Sequence, residues 1–251
     1  MLFLTVRALV LSSSPHRDSD RIVRLLTREH GMITCTASGA AKSGSRFSFG
    51  TQPGILSDYV LNKSRDFWYV KELEVVESFR VVQEDLYYLT AAAHLLEIAR
   101  DACVDMQTSG EILVLLLHAF QAMNAKRKNY RLVVCAAEWR MMNILGFPAD
   151  FSAWEDDGGG SSVAVFSYAS CRLLGKGRGD SDGASSQSLS RSAVEALLYI
   201  RGASLESLFS FEVNPDVLNE ISCLSRRYLC DRLERRYDKM DMLVFSDEPW
   251  G

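Results

Sequence analysis

Histidines and paired cysteines are scarce in this chain. Only four histidines occur in 251 residues, and they are too scattered for a catalytic constellation or a metal ligand set. His94 and His118 fall on apolar helical stretches, where a core or boundary histidine is the commoner use, and His16 and His30 fall in turns. There is no G-x-S-x-G, no P-loop and no H-E-x-x-H. The run Gly175-Lys-Gly-Arg-Gly179 has the composition of a phosphate loop, but it follows no clear strand and opens no helix, so it reads as a linker. These absences argue against an enzyme.

The six cysteines, at 35, 103, 135, 171, 223 and 230, form no C-x-x-C pair, and most sit in apolar periodic segments. Buried free thiols in a reducing compartment follow from this, rather than a disulfide framework. No apolar run approaches the roughly 18 residues of a membrane span. The N-terminal MLFLTVRALVLSSS has no basic stretch ahead of its apolar part and alternates like a strand, so no signal peptide is read and the cytoplasm is the expected compartment.

What the chain does have is a contrast between its two ends. Hydrophobic residues make up 47% of it, enough for a sizeable core and two domains. Residues 1–80 carry 11 Lys and Arg against 8 Asp and Glu, while the remainder carries 17 against 24. A basic front suits nucleic acid and an acidic back suits protein partners.

Residues 1–80 read as β-structure. Phe3–Leu11 alternates and is rich in β-formers, and Ser12–Asp18 with Pro15 reads as a turn. Asp20–Arg28 alternates again, with Ile22, Arg24, Leu26 and Arg28 on one face and Val23, Leu25 and Thr27 on the other. His30-Gly31 closes a tight turn into a strand over Met32–Ala37. Gly39–Arg46 then forms a mobile basic loop that cannot continue the strand. Ile55–Leu61 and Phe67–Val76 supply two more strands. Five short strands in about eighty residues fit a small closed barrel of the oligonucleotide-binding (OB) type, and an SH3-type barrel would give a similar pattern.

Beyond Arg80 the hydrophobic period becomes helical. Leu86, Leu89, Ala93, Leu96 and Ala99 or Arg100 trace one face, Ser109-Gly110-Glu111 introduces a second helix to about Ala125, and a third runs from about Asn129 to Leu145 and stops at Gly146. Residues 151–188 are the least helical part, an irregular glycine-rich insertion with one short strand at Val163–Tyr168. Ser192-x-x-Glu195 has capping-box spacing, and Asn214-Pro215-Asp216 opens a last long helix through about Arg236, with the last residues expected to fray. The resulting fold class is α+β, with domains at 1–80 and 81–251.

Arg24 and Arg28 on one strand face, Lys42 and Arg46 on the following loop, and Trp68 and Tyr69 near the start of the last barrel strand combine cations with aromatic rings. Cations attract phosphates and ring faces stack on unpaired bases, each base being worth about 1–3 kcal/mol. The plain alternative is that the cations solvate the barrel while the aromatics fill it. Two further basic clusters, Lys126-Arg127-Lys128 with Arg131, and Arg226, Arg227, Arg232, Arg235 and Arg236, have the appearance of solvated helix ends.

The segment ALVLSSSPHRDSDRIVRLLTREHGMITCTASGAAKSGSRF closely resembles the N-terminal signature of the bacterial RecO recombination mediators, D-R-I-V-x-L-L-T-x-E-H-G followed by G-A-x-K and S-R-F. Gln52-Pro53 resembles the Q-P that follows. Glu138–Phe147, Leu189–Leu198 and Arg227-Tyr-Leu229 are weaker echoes of its later helices. The resemblance implies an OB-fold domain and an all-helical domain without enzymatic activity or a cofactor, in a bacterial cytoplasmic protein working at the nucleoid. Its members bind single- and double-stranded DNA and anneal complementary strands. With RecR they help RecA replace the single-stranded-DNA-binding protein, whose acidic C-terminal tail they contact. Lys126, Lys128, Arg131 and Arg140 are the residues expected to meet that tail. An adaptor that recruits repair proteins while binding DNA weakly is the alternative. Many members carry a four-cysteine zinc module after the L-G-F helix. Here Phe151–Asp157 has no cysteine and only Cys171 remains nearby, so a degenerate, metal-free module is expected.

Overall fold

Five strands open the chain: β1 (Leu2–His16), β2 (Asp20–Thr27), β3 (Met32–Ala37), β4 (Leu56–Ser64) and β5 (Phe67–Glu77). In the computed structural model, which describes residues 2–103, 105–125, 129–156, 163–175 and 185–243, they close into a barrel in the order β1-β2-β3-β5-β4. Neighbours run antiparallel except β3 and β5, which pair parallel through Cys35–Trp68 and Thr36–Tyr69. The period-two pattern sends Val23, Leu25, Ile33, Cys35, Tyr59 and Leu61 into the barrel. Leu9 and Leu26 point outward yet are fully buried, because helices lie against β1 and β2.

β1 is longer than its sequence suggests. Leu2–Leu9 pair with β4 and Ala8–His16 with β2, so two partners hold the serine-rich stretch extended that alone reads as a turn. The strand accommodates both through an irregularity between Val10 and Ser12. The segment 38–55 packs on the barrel, with Ala40 and Phe47 inserted into its core. Tyr59 donates its hydroxyl proton to the Gly50 carbonyl at 2.6 Å. A Cβ at Gly50 would lie 2.4 Å from Leu73 Cδ1, so any larger residue there would have to push the Leu73 side chain aside.

Contacts divide the chain into Met1–Arg127 with Tyr237–Gly251, and Lys128–Arg236. The first unit adds α1 (Arg80–Glu84), α2 (Leu86–Ala102) and α3 (Met106–Asn124) to the barrel. The buried side of α2 is Ala91, Ala92, Leu95, Leu96, Ile98, Ala99 and Ala102 with His94, so Leu96 and Ala99 are covered as read from the sequence, whereas Leu86 and Leu89 are exposed. α3 begins at Met106 behind the cap Asp105, which accepts from the Thr108 amide, and Ser109-Gly110 lies inside it. The last residues, expected to fray, lie outside the described residues from 244 on, and Tyr237–Leu243 before them is packed. Tyr237, Met240 and Leu243 are buried, Lys239 Nζ is 2.6 Å from Glu97 Oε2, and the Tyr237 ring meets His94 edge-on.

The second unit contains α4 (Tyr130–Ile144), α5 (Ser152–Asp156), β6 (Val163–Ser167), β7 (Arg172–Gly175), β8 (Ser186–Ser190), α6 (Arg191–Gly202) and α7 (Pro215–Leu233). The expectation of an all-helical C-terminal domain is therefore corrected: β6 is the centre of an antiparallel sheet of order β7-β6-β8. β6 lies where Val163–Tyr168 reads as a short strand, whereas β7 has only four residues, β8 is the polar run SQSLS, and Cys171 makes the turn between β6 and β7 at φ 56 without a glycine, so these two carry no usual strand or turn signal. Phe166 from this sheet joins Trp139, Phe151 and Tyr228 in one aromatic core. The cap of α6 is Ser190, accepting from the Ala193 amide, rather than Ser192. Asn214 caps α7 with Pro215 behind it, as read from the sequence.

Candidate nucleic-acid interface

The six barrel residues separate into two groups. Arg24 is exposed in the middle of β2, paired with Thr34 of β3. Thr36, two residues on, pairs with Tyr69 of β5, so Arg24, Thr34, Thr36 and Tyr69 share the outer surface of three adjoining strands. Arg28 is exposed but lies about 13 Å further along the strand direction, just past the end of β2. There its carbonyl oxygen would lie 2.8 Å from a Cβ at Gly110 of α3. Trp68 packs against the barrel core with the Lys63 ammonium 5.7 Å from its ring centroid, while Tyr69 faces out.

The basic loop, expected to be mobile, is tied down. The Gly39 amide donates to Asp20 Oδ1 at 2.8 Å and the Ala41 amide to the Ser19 carbonyl at 2.9 Å. Gly39 and Gly44 take positive φ, which lets the chain turn twice in this short space. Lys42 projects from it, exposed. Arg46 donates through Nη2 to the Lys71 carbonyl at 3.0 Å and lays its guanidinium 4.6 Å from the Phe47 ring centroid. The loop is thus joined to β5, the strand that carries Tyr69.

Two residues passed over in the sequence belong to the same surface. Phe3 pairs with Asn62, and Asn62 with Tyr69, so Phe3, Asn62, Tyr69 and Thr36 form one row across β1, β4, β5 and β3. The Lys71 ammonium stands 4.8 Å from the Phe3 ring centroid. Lys71 is the extra residue of a bulge: Leu61 faces Val70 and Val60 faces Glu72, leaving Lys71 without an opposite partner. Alternation cannot reveal a bulge, nor which face of a strand stays open. Phe3 therefore read only as a β-former.

In the second unit, Arg131 donates to Asn219 Oδ1 at 2.8 Å, linking α4 to α7. Arg140 donates to the carbonyls of Arg201 and Ala203 at the end of α6, and its partial burial pushes its pKa down. Lys126 and Lys128 lie outside the described residues. In the third basic cluster, Arg227 stacks 4.1 Å from the Tyr168 ring centroid and Arg232 donates to the Tyr168 carbonyl at 2.6 Å. Among the described residues no three His, Cys, Asp or Glu gather in a metal-binding group. Near Cys171, Asp150 accepts from the Ser152 amide and hydroxyl and from Arg172, which together hold its carboxyl well below the usual carboxylate range.

Comparison with known proteins gives these residues a family. The family models described as Recombination protein O N terminal and Recombination protein O C terminal match residues 1–79 and 83–241. The chain is 30% identical over 250 residues to DNA repair protein RecO of Acetivibrio thermocellus, covering 98% of each chain. This chain belongs to the RecO family. Its similarity extends to DNA repair protein RecO of Caldanaerobacter subterraneus subsp. tengcongensis, 23% identical with 97% of this chain and 98% of that one covered. It is also 28% identical to DNA repair protein RecO of Bacillus pumilus over 145 residues, 58% of this chain and 56% of that one. RecO membership makes it a DNA repair and recombination protein. The signature read at residues 8–47 falls in the first matched segment. The second RecO segment begins near the end of α1, so it supplies α2 and α3, which pack on the barrel. No described helix is long and apolar enough to cross a membrane.

Proposed function

We propose that this RecO-family protein is a non-enzymatic mediator that binds single- and double-stranded DNA, anneals complementary strands and, with RecR, helps RecA displace the single-stranded-DNA-binding protein. The observation that carries this reading is the barrel order β1-β2-β3-β5-β4, with β3 and β5 parallel. That order is a Greek-key arrangement rather than a meander, which favours the OB type over the SH3 type. Arg24, Lys42 and Arg46 on and beside its outer surface would screen phosphate repulsion between two strands, so annealing needs no ATP. For the acidic tail we propose the neighbourhood of Lys126, Lys128 and Arg131, with Arg140 fixing the end of α6. We also propose that the region after Phe147 holds no zinc, and metal analysis returning about one zinc per chain would overturn that.

The modest excess of 11 basic over 8 acidic side chains in residues 1–80 favours a second reading, an adaptor with little DNA affinity. Anisotropy titration of a labelled single-stranded oligonucleotide at rising salt separates them. Binding that weakens steeply with salt is expected, and no binding at low salt leaves the adaptor.

A further inference from the structure

We infer that the outer surface of the barrel around Phe3, Phe67, Tyr69 and Lys71 is a stacking platform for unpaired nucleic-acid bases, with Arg46 and Lys71 as its phosphate-facing cations. The inference rests on the DNA-binding reading and adds to it a location and a preference for single strands.

Several independent features converge on this surface. Phe3 is 47% exposed, Phe67 65% and Tyr69 36%, a density of open rings that solvation alone does not explain. Phe67 and Tyr69 are alternate residues of β5 and so face the same way, and Phe3 lies in register with Tyr69 across β4. Two strand spacings set Phe3 and Tyr69 about 10 Å apart, far enough that each ring can take its own base. Asn62 sits between them with its Oδ1 buried beneath the surface. The bulge at Lys71 brings its ammonium over Phe3 and leaves its carbonyl to anchor Arg46, so two cations border the rings.

Charge sets the limit of the platform. Beyond Lys71, β5 continues with exposed Glu72, Glu74 and Glu77, and Arg7 is already held by Asp58 in a two-pronged ion pair at 2.8 Å. A polyanion is repelled from that end and confined to the end bearing Phe67 and Tyr69. A duplex keeps its bases stacked inside, so the rings can contribute only to single strands.

The test compares a single-stranded oligonucleotide with the corresponding duplex on the full chain. With Phe3→Ala and Tyr69→Ala combined, the single-strand Kd is expected to rise about tenfold or more, while the duplex Kd changes by less than about twofold. Phe3→Tyr with Tyr69→Phe should bind like the parent protein. Lys71→Ala should lower the magnitude of the single-strand salt slope by about 0.7. Unchanged single-strand affinity in a folded double-alanine variant overturns the platform and leaves DNA binding intact; so does an equal loss on both ligands. If the parent protein binds neither ligand, the DNA-binding reading itself fails. Should the double-alanine variant not fold, Phe3→Leu with Tyr69→Leu keeps apolar bulk without a ring face, and the same outcomes decide.

Discussion

Gly110 occupies a helix interior, where glycine costs about 1 kcal/mol relative to alanine. It is tolerated because a Cβ there would lie 2.8 Å from the Arg28 carbonyl oxygen, a backbone atom that cannot swing away. Gly110→Ala should therefore destabilise the protein by roughly 1–3 kcal/mol despite the better helix former. Gly202→Ala at the end of α6, where a Cβ would meet nothing within 4 Å, should be neutral or slightly stabilising. Thermal melts of the two variants give opposite signs if close packing is the reason. The cysteines make a second contrast. Burial pushes the Cys35 and Cys135 thiols from 9.0 up to about 12, and Cys103 to about 11, while Cys223 is exposed. At pH 8 a thiol reagent should label Cys223 first and leave these three intact until the protein unfolds, as peptide mapping after a timed quench would reveal. Because their folded pKa values are raised, their burial favours the fold fully below about pH 9 and progressively less toward pH 12. Burial of these cysteines was legible from apolar periodicity, but the exposure of Cys223 on α7 was not.

At the level of elements, the strands were read well where pattern and pairing agree. β3 begins and ends where alternation places it, and the glycine of His30-Gly31 takes the positive φ its turn requires. Readings failed where a partner overrides local preference, as in the serine-rich half of β1. They also failed where two polar residues compete for one cap: Asp105 and Ser190 took the positions that Ser109 and Ser192 also fitted. The loop over residues 39–46 was found from its glycines and lysine, but its anchoring by Asp20 and by the Lys71 carbonyl depends on distant residues that no local pattern reports. Its two cations should consequently behave differently. Lys42→Ala should weaken DNA binding and lower the magnitude of the salt slope by about 0.7–0.9 without moving the melting temperature. Arg46→Ala should do both, since it also removes a hydrogen bond to β5 worth about 0.5–1.5 kcal/mol. Binding titrations at several salt concentrations, paired with melts, distinguish the two roles. An unchanged affinity and slope in the double variant would remove the loop from the interface.

For the whole molecule, the first compact unit is discontinuous in sequence: Tyr237–Gly251 belongs with Met1–Arg127, and Lys128–Arg236 forms its own unit between them. Composition could not reveal this, because the charged run after Leu233 looks like a solvated tail until its three apolar residues find α2. Tyr237, Met240 and Leu243 are each nearly fully buried, and such side chains are worth about 1.5–3 kcal/mol apiece. Ending the chain after Arg236 should therefore cost on the order of 5 kcal/mol, comparable to a large share of a domain's stability of about 5–15 kcal/mol. The loss should fall on the unit that holds the barrel, lowering its unfolding transition and exposing its α2 amides to hydrogen exchange. Tyr237→Ala should reproduce much of this, whereas Lys239→Ala should cost only about 1 kcal/mol or less because its ion pair with Glu97 is part-exposed. If exchange in α2 is unaltered by the truncation, the closing segment contributes nothing to the barrel unit. If it rises as expected, DNA affinity measured on the truncated chain reflects a weakened barrel unit rather than a lost contact.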